Sequence, residues 1–191
     1  MTLQVTQLPY TRRRFTVAEY DRLAEAGILT EDDRVELIDG EIIGMSPIGR
    51  WHASTVVRLT AIFVRVAGDS AHVSVQNPLH LSEDSEPQPD LMLLRPKPDF
   101  YASGHPKPED VLLLVEIADS SAEYDREVKL PRYARAGIPE VWLFGFENDA
   151  IAVYLDPASE GYRTVTFRRR GEWLSPLAFS GRELAVAELL G

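Results

Sequence analysis

The chain contains no cysteine. That excludes disulfides, thiol nucleophiles and thiolate metal sites together. It has no run of eighteen apolar residues, so no segment reads as a membrane span. The opening stretch MTLQVTQLPYTRRRF lacks the apolar core of a secretory signal, and a cytoplasmic location is the expectation. Positive charge is also scarce, with a formal net charge of −10. Tight non-specific binding to nucleic acid depends on neutralising phosphates, so an acidic chain that handles DNA should hold it weakly and need divalent cations. The two dense basic runs, Arg12 to Arg14 and Arg168 to Arg170, read as solvated faces. No GxSxG, P-loop or GxGxxG pattern occurs. His72, His80 and His105 show no zinc-ligand spacing.

What is present suits one domain with a real core: 191 residues, 45% hydrophobic and 26% charged. FTVAEYDRLAEAG reads as a helix with a Thr16–Glu19 capping box and Gly27 past its end. RVELIDGEIIGMS reads as a hairpin turning at Asp39-Gly40. Apolar residues recur at helical spacing from Trp51 to Ala67. Three strands follow, in HVSVQNPLHL, PQPDLMLL and VLLLVEIA, the last apolar enough to be covered on both faces. The Pro-rich stretch RPKPDFYASGHPKPED is long enough to suggest a lid or binding loop. SSAEYDREVKLPRYARAG reads as a helix capped by Ser120 or Ser121, with a kink or break at Pro131. PEVWLFGF, IAVYLD and YRTVTFRRR are strands, the last two a meander at one edge, and GRELAVAELL is a terminal helix. The fold class is α/β or α+β, a mixed sheet flanked by helices. Residues 1–14 are expected to be a flexible lead and 15–191 the folded domain.

Several polar residues sit where apolar ones belong. Asp90 follows Pro89 just before LMLL, Glu116 interrupts the apolar strand, and Glu36 interrupts RVELI. If Asp90 and Glu116 share a face of adjacent strands, their like charges conflict, and a divalent cation such as Mg²⁺ resolves the conflict. A turn residue after proline and an arginine-paired strand-end carboxylate are the ordinary alternatives. The chain has three lysines against seventeen arginines. Lys129 alone falls in a regular element, where a compact ammonium suits a contact to water or phosphate. Its ordinary alternative is a surface pair with Asp125. His52, at the start of the long helix, could contact a phosphate or position a carboxylate, or equally be a half-buried helix-start histidine.

The Pro89-Asp90 pair, a hydrophobic strand carrying Glu116 and a nearby lysine resemble the PD-(D/E)XK nuclease superfamily. More closely, the chain resembles the Uma-two family of bacterial restriction endonuclease-like proteins. The resemblance runs from about Phe15 to Gly191 and is carried by RVELIDGEIIGMSPIGRWH, EPQPDLMLLRPKPDFYASGHP, PEDVLLLVEIADSSAEYDREVKLPRYARAGIPEVWLF and LSPLAFSGRELAVAELLG. It implies a four-stranded mixed core sheet between helices. It implies Asp90 and Glu116 as metal-binding carboxylates, Lys129 as the motif lysine, Glu36 as an added acidic residue and His52 as a site-lining residue. The superfamily lysine usually stands two residues after the glutamate, where this chain has Ala118; Lys129 would replace it from the following helix, provided its face points at the sheet. The expected function is a Mg²⁺- or Mn²⁺-dependent endonuclease acting on DNA. Its metal would be held by Asp90, Glu116 and the Ile117 backbone carbonyl, and a homodimer would suit two-strand cutting. The alternative is a catalytically inactive scaffold or interaction module of the same fold.

Overall fold

The structure is a computed structural model, and it describes residues 11–30, 32–118, 122–145 and 149–191. Ser120 and Ser121, expected to cap a helix, lie outside the described residues, as do the first ten residues of the expected flexible lead. Helix α1 (Val17–Glu25) starts at Thr16, whose hydroxyl and the Glu19 carboxylate form the expected reciprocal cap. The hairpin β1 (Val35–Ile38) and β2 (Glu41–Gly44) turns at Asp39 and Gly40, both at positive φ, the geometry that matches strand twist. Helix α2 (Arg50–Ala67) follows.

The main sheet has six strands rather than four. They are β3 (His72–Val75), β4 (Leu91–Leu94), β5 (Val111–Ile117), β6 (Glu140–Phe144), β7 (Ala150–Ala158) and β8 (Gly161–Arg169), side by side in that order. Neighbours are antiparallel except β5 and β6, which are parallel and therefore need a helical crossover. That crossover is α3 (Ala122–Tyr124), a π-helical turn at Asp125–Lys129, and α4 (Leu130–Arg135). Strands β9 (Trp173–Leu174) and β10 (Leu184–Ala185) form a small second ladder, and α5 (Val186–Leu190) ends the chain.

The unbroken apolar run of β5 is explained by two cores. Leu113, Val115 and Ile117 face one side, with α2 and α5. Leu114 and Ala118 face the other, with Leu130 and Tyr133 of α4. Each buried Leu or Val there contributes about 1.5–3 kcal/mol against exposure. Because side chains alternate, Glu116 faces the same side as Leu114, toward the crossover helix.

Pro131 does not break that helix. A proline inside an α-helix loses its N–H bond and clashes with the carbonyl four residues back. The chain accommodates this by widening just before it, where the Leu130 N–H donates to the Asp125 carbonyl five residues earlier. Pro131 then falls in the first turn of α4, where no donor is needed. The widened turn buries Asp125 and Lys129 together, and Tyr133 one turn on.

The Pro-rich loop between β4 and β5 is not a lid. It leaves the far end of β4 and feeds the near end of β5, so it lies at the end of the sheet away from Asp90 and Glu116. There it is closed by its own contacts. The Lys97 ammonium pairs with Asp110 at 3.0 Å, and the Phe100 ring stacks on His72 with centroids 4.5 Å apart.

Candidate active site

Antiparallel pairing of β4 and β5 sets Leu91 opposite Val115. One step further along the ladder brings Asp90 opposite Glu116, on the face that α4 covers. Asp90 is fixed through both oxygens. Oδ1 accepts from His52 Nε2 at 2.8 Å and Gln76 Nε2 at 3.3 Å, and Oδ2 accepts from the Ile117 backbone N–H at 2.8 Å. His52 thus meets the Asp90 carboxylate, the contact that one of its sequence readings called for. Ile117, whose carbonyl was the expected metal contact, reaches the site through its amide, which donates to Asp90.

Lys129 points at the sheet. Its Nζ lies 3.1 Å from Glu36 Oε2, 3.4 Å from Glu116 Oε1 and 3.8 Å from Asp125 Oδ1, and the side chain is only 8% exposed. The pair with Asp125 is thus buried, not a surface pair. Glu36 also accepts from the Gln88 N–H at 3.2 Å. Its hairpin is tied down by the Leu37–Glu86 bridge and by the Gly40 N–H, which donates to the Asp84 carbonyl at 2.7 Å. Tyr133, fully buried, donates its phenol to Glu116 Oε1 at 2.6 Å.

Three buried carboxylates thus share one ammonium, with Asp90 close by. The consequence falls on Glu116. Burial pushes its carboxyl up to about 8, and Asp125 and Asp90 add to the rise, while Lys129 and the Tyr133 hydrogen bond oppose it. Burial works against the charge on Lys129, yet Glu116, Glu36 and Asp125 outweigh it and hold its pKa above the usual lysine value. The surrounding carboxylates thus favour the charged, donating form of Lys129. The Tyr124 phenol is pushed up to about 12, by burial first and then by Glu36.

These groups line one cleft of about 540 Å³ at the carboxyl end of β5, with Glu36, His52, Asp90, Glu116, Tyr124 and Lys129 in its wall. Open α/β sheets commonly place their ligands beyond the carboxyl ends of parallel strands. Neither arginine run contributes to the wall. Among the described residues, no three His, Asp or Glu side chains group closely enough to cage a metal by themselves.

Sequence reading missed Tyr133, Gln76 and Gln88. Tyr133 had a faint signal, since Asp125, Lys129 and Tyr133 stand four apart along one helix. A tyrosine at that spacing ordinarily reads as core. The glutamines carried none.

A mixed six-stranded sheet flanked by helices, with the carboxyl end of β5 opening into this cleft, is a nuclease-like fold. The chain belongs to the Uma2 family, described as "Putative restriction endonuclease", whose model matches residues 17–187. Among solved structures, it is similar to a "putative nuclease belonging to DUF820" from Anabaena variabilis ATCC 29413. That likeness has a TM-score of 0.69 and 16% identity, and covers 92% of this chain and 97% of the other. At that identity the likeness establishes the fold alone. No curated protein matches the chain.

Proposed function

We propose that the protein is a metal-dependent endonuclease that hydrolyses phosphodiester bonds of DNA in the β5 cleft. The observation that carries the reading is the convergence of Asp90, Glu116 and Lys129, brought together from two strands and a helix. The donor set suits Mg²⁺ or Mn²⁺. Two carboxylates on neighbouring strands, with the Ile117 carbonyl, leave the remaining positions to water and phosphate oxygens, as Mg²⁺ prefers. The surplus of negative charge favours a cation. When bound, the metal would lower the pKa of a water and neutralise charge on the attacked phosphate.

The protein's own groups divide the remaining work. His52, Gln76 and the Ile117 amide hold the Asp90 carboxylate in one orientation. Tyr133 does the same for Glu116. Lys129, kept charged by Glu36 and Asp125, donates hydrogen bonds to the attacking water or to a phosphate oxygen as charge develops. Glu116, Glu36 and Asp125 favour its charged form, which suits it to electrostatic stabilisation.

The test is Mn²⁺-dependent nicking of supercoiled plasmid, together with melting of the same proteins with and without Mn²⁺. Wild type should nick, while Asp90→Asn and Glu116→Gln should lose at least a hundredfold in rate and still melt cooperatively. Mn²⁺ should raise the melting temperature of wild type and not of Glu116→Gln. Equal nicking by all three proteins would sink the proposal. The absence of both nicking and a metal-dependent shift would favour the scaffold reading.

A further inference from the structure

The rim of the cleft carries a feature that the chemistry just described leaves unused. Met45 and Ile48 line its wall, and Ile48 is 44% exposed. Trp51, in the first turn of α2 and next to His52, is 41% exposed. One edge of its indole lies against Gly145, just past β6. A Cβ built on Gly145 would lie 2.9 Å from Trp51 Cη2 and 1.9 Å from the Ala118 carbonyl oxygen, so only glycine permits this approach. The ring meets backbone at Gly145, yet two-fifths of the residue faces solvent. A large aromatic so placed beside a polar cleft lacks the burial that ordinarily fixes a tryptophan.

The cleft is a poor phosphate grip. Its lining offers two cationic side chains, Arg34 and Lys129. Lys129 is shared among three carboxylates, and Arg34 donates to the Ser46 carbonyl at 2.9 Å. In a chain of net charge −10, affinity from counterion release is weak. Base stacking is the interaction that does not depend on phosphate charge, and it tolerates any base. The groups a phosphate must reach are nearly closed off, with Glu116 2% and Lys129 7% exposed. A separated strand exposes its bases to Ile48 in the wall and to Trp51, whose neighbour His52 lines the cleft. A closed duplex keeps its bases stacked and out of reach of that rim.

We propose that Trp51, backed by Ile48, is a stacking platform for an unpaired nucleobase, and that the cleft takes single-stranded or frayed nucleic acid in preference to closed duplex. The inference rests on the nuclease reading for its choice of ligand, and it goes beyond that reading in naming the form of the substrate.

The experiment uses the full chain carrying Trp173→Phe, which removes the other exposed indole and leaves Trp51 beside the buried Trp142. Fluorescence is titrated in EDTA with a twelve-residue thymidine oligonucleotide, an abasic oligonucleotide of equal length and a blunt duplex. The oligothymidine should quench saturably and bind about tenfold or more tighter than the abasic strand and the duplex, the scale of one stacked base. Anisotropy of a labelled strand extends the measurement to variants lacking the indole. Trp51→Ala should lose that preference for bases while binding the abasic strand as before, and Trp51→Phe should keep most of it. A merely structural role for Trp51 would weaken all three ligands alike. Unchanged discrimination in Trp51→Ala overturns the inference, as does duplex binding equal to single strand or the absence of saturable quenching. Because no cleavage is read, the two proposals fail separately. Base-dependent quenching without nicking under any metal leaves the platform standing and removes the nuclease. Nicking with unaltered discrimination in Trp51→Ala does the reverse.

Discussion

Glu116→Gln keeps the length of the side chain and the oxygen that receives both Tyr133 and Lys129, and removes only the charge. For most buried ion-paired carboxylates that change is harmful. Here the opposite is expected in metal-free buffer, because three carboxylates compete for one ammonium and burial has pushed Glu116 from 4.5 up to about 8. The folded carboxyl holds its proton more tightly than the unfolded one. The native state therefore binds more protons between about 4.5 and 8, and stability falls as pH rises through that window. At pH 7 the accumulated penalty is about 3 kcal/mol at most, taking ~1.4 kcal/mol per pH unit. That penalty is already net of the attraction to Lys129, which in the variant keeps Glu36 and Asp125 as partners; the amide donates from nitrogen where the protonated acid has a hydroxyl, and so recovers only part of the penalty. A net gain of about 1–2 kcal/mol remains, or roughly 2–8 °C in melting temperature for a chain of this size. Urea denaturation at pH 7 in EDTA, repeated from pH 5 to 8, reads both the gain and the flattened pH dependence. A loss of 1 kcal/mol or more at pH 7 would show that the Glu116–Lys129 pair is a net stabiliser, and the account of a strained carboxylate would be wrong. Saturating Mn²⁺ should reverse the order of the two proteins. A ligand at a hundred times its Kd adds about 2.7 kcal/mol to wild type alone.

Lys129→Met removes the cation that Glu36, Glu116 and Asp125 share, and should cost about 3–5 kcal/mol at pH 8 by denaturant titration, with a smaller loss near pH 5, where Glu116 holds its proton. Gly145→Ala forces a methyl into the Ala118 carbonyl at a positive φ, and should cost about 2 kcal/mol or more while changing Trp51 fluorescence.

Much of the scaffold could be read from the chain because its signals are local. The capping box of α1, the Asp39-Gly40 turn and the periodicity of α2 each depend on residues within a few positions. β5 was legible for a different reason: a strand covered on both faces must be apolar throughout, so its one carboxylate stood out. Lysine scarcity singled out Lys129 in the same way. Tyr133 and Gln76 were hidden because their importance lies in what they touch, and a buried tyrosine on a helix looks alike whether or not its hydroxyl meets a carboxylate.

The Pro-rich loop shows where such reading goes astray and how it could be corrected. Length alone made it look functional. Yet Asp90 stands just before β4 and Glu116 near the end of β5, and both belong to one site only if the two strands run antiparallel. In an antiparallel pair, the connection leaves β4 at its far end and returns to β5 at that same end. The assumption that paired Asp90 with Glu116 therefore already placed residues 95–110 at the opposite end of the sheet. The segment that does border the cleft is shorter and less conspicuous. It runs from Gly44 through Gly49 into α2, and delivers Met45, Ile48 and His52 to the wall with Trp51 beside them. Strand direction, not loop length, decides which connection a substrate meets.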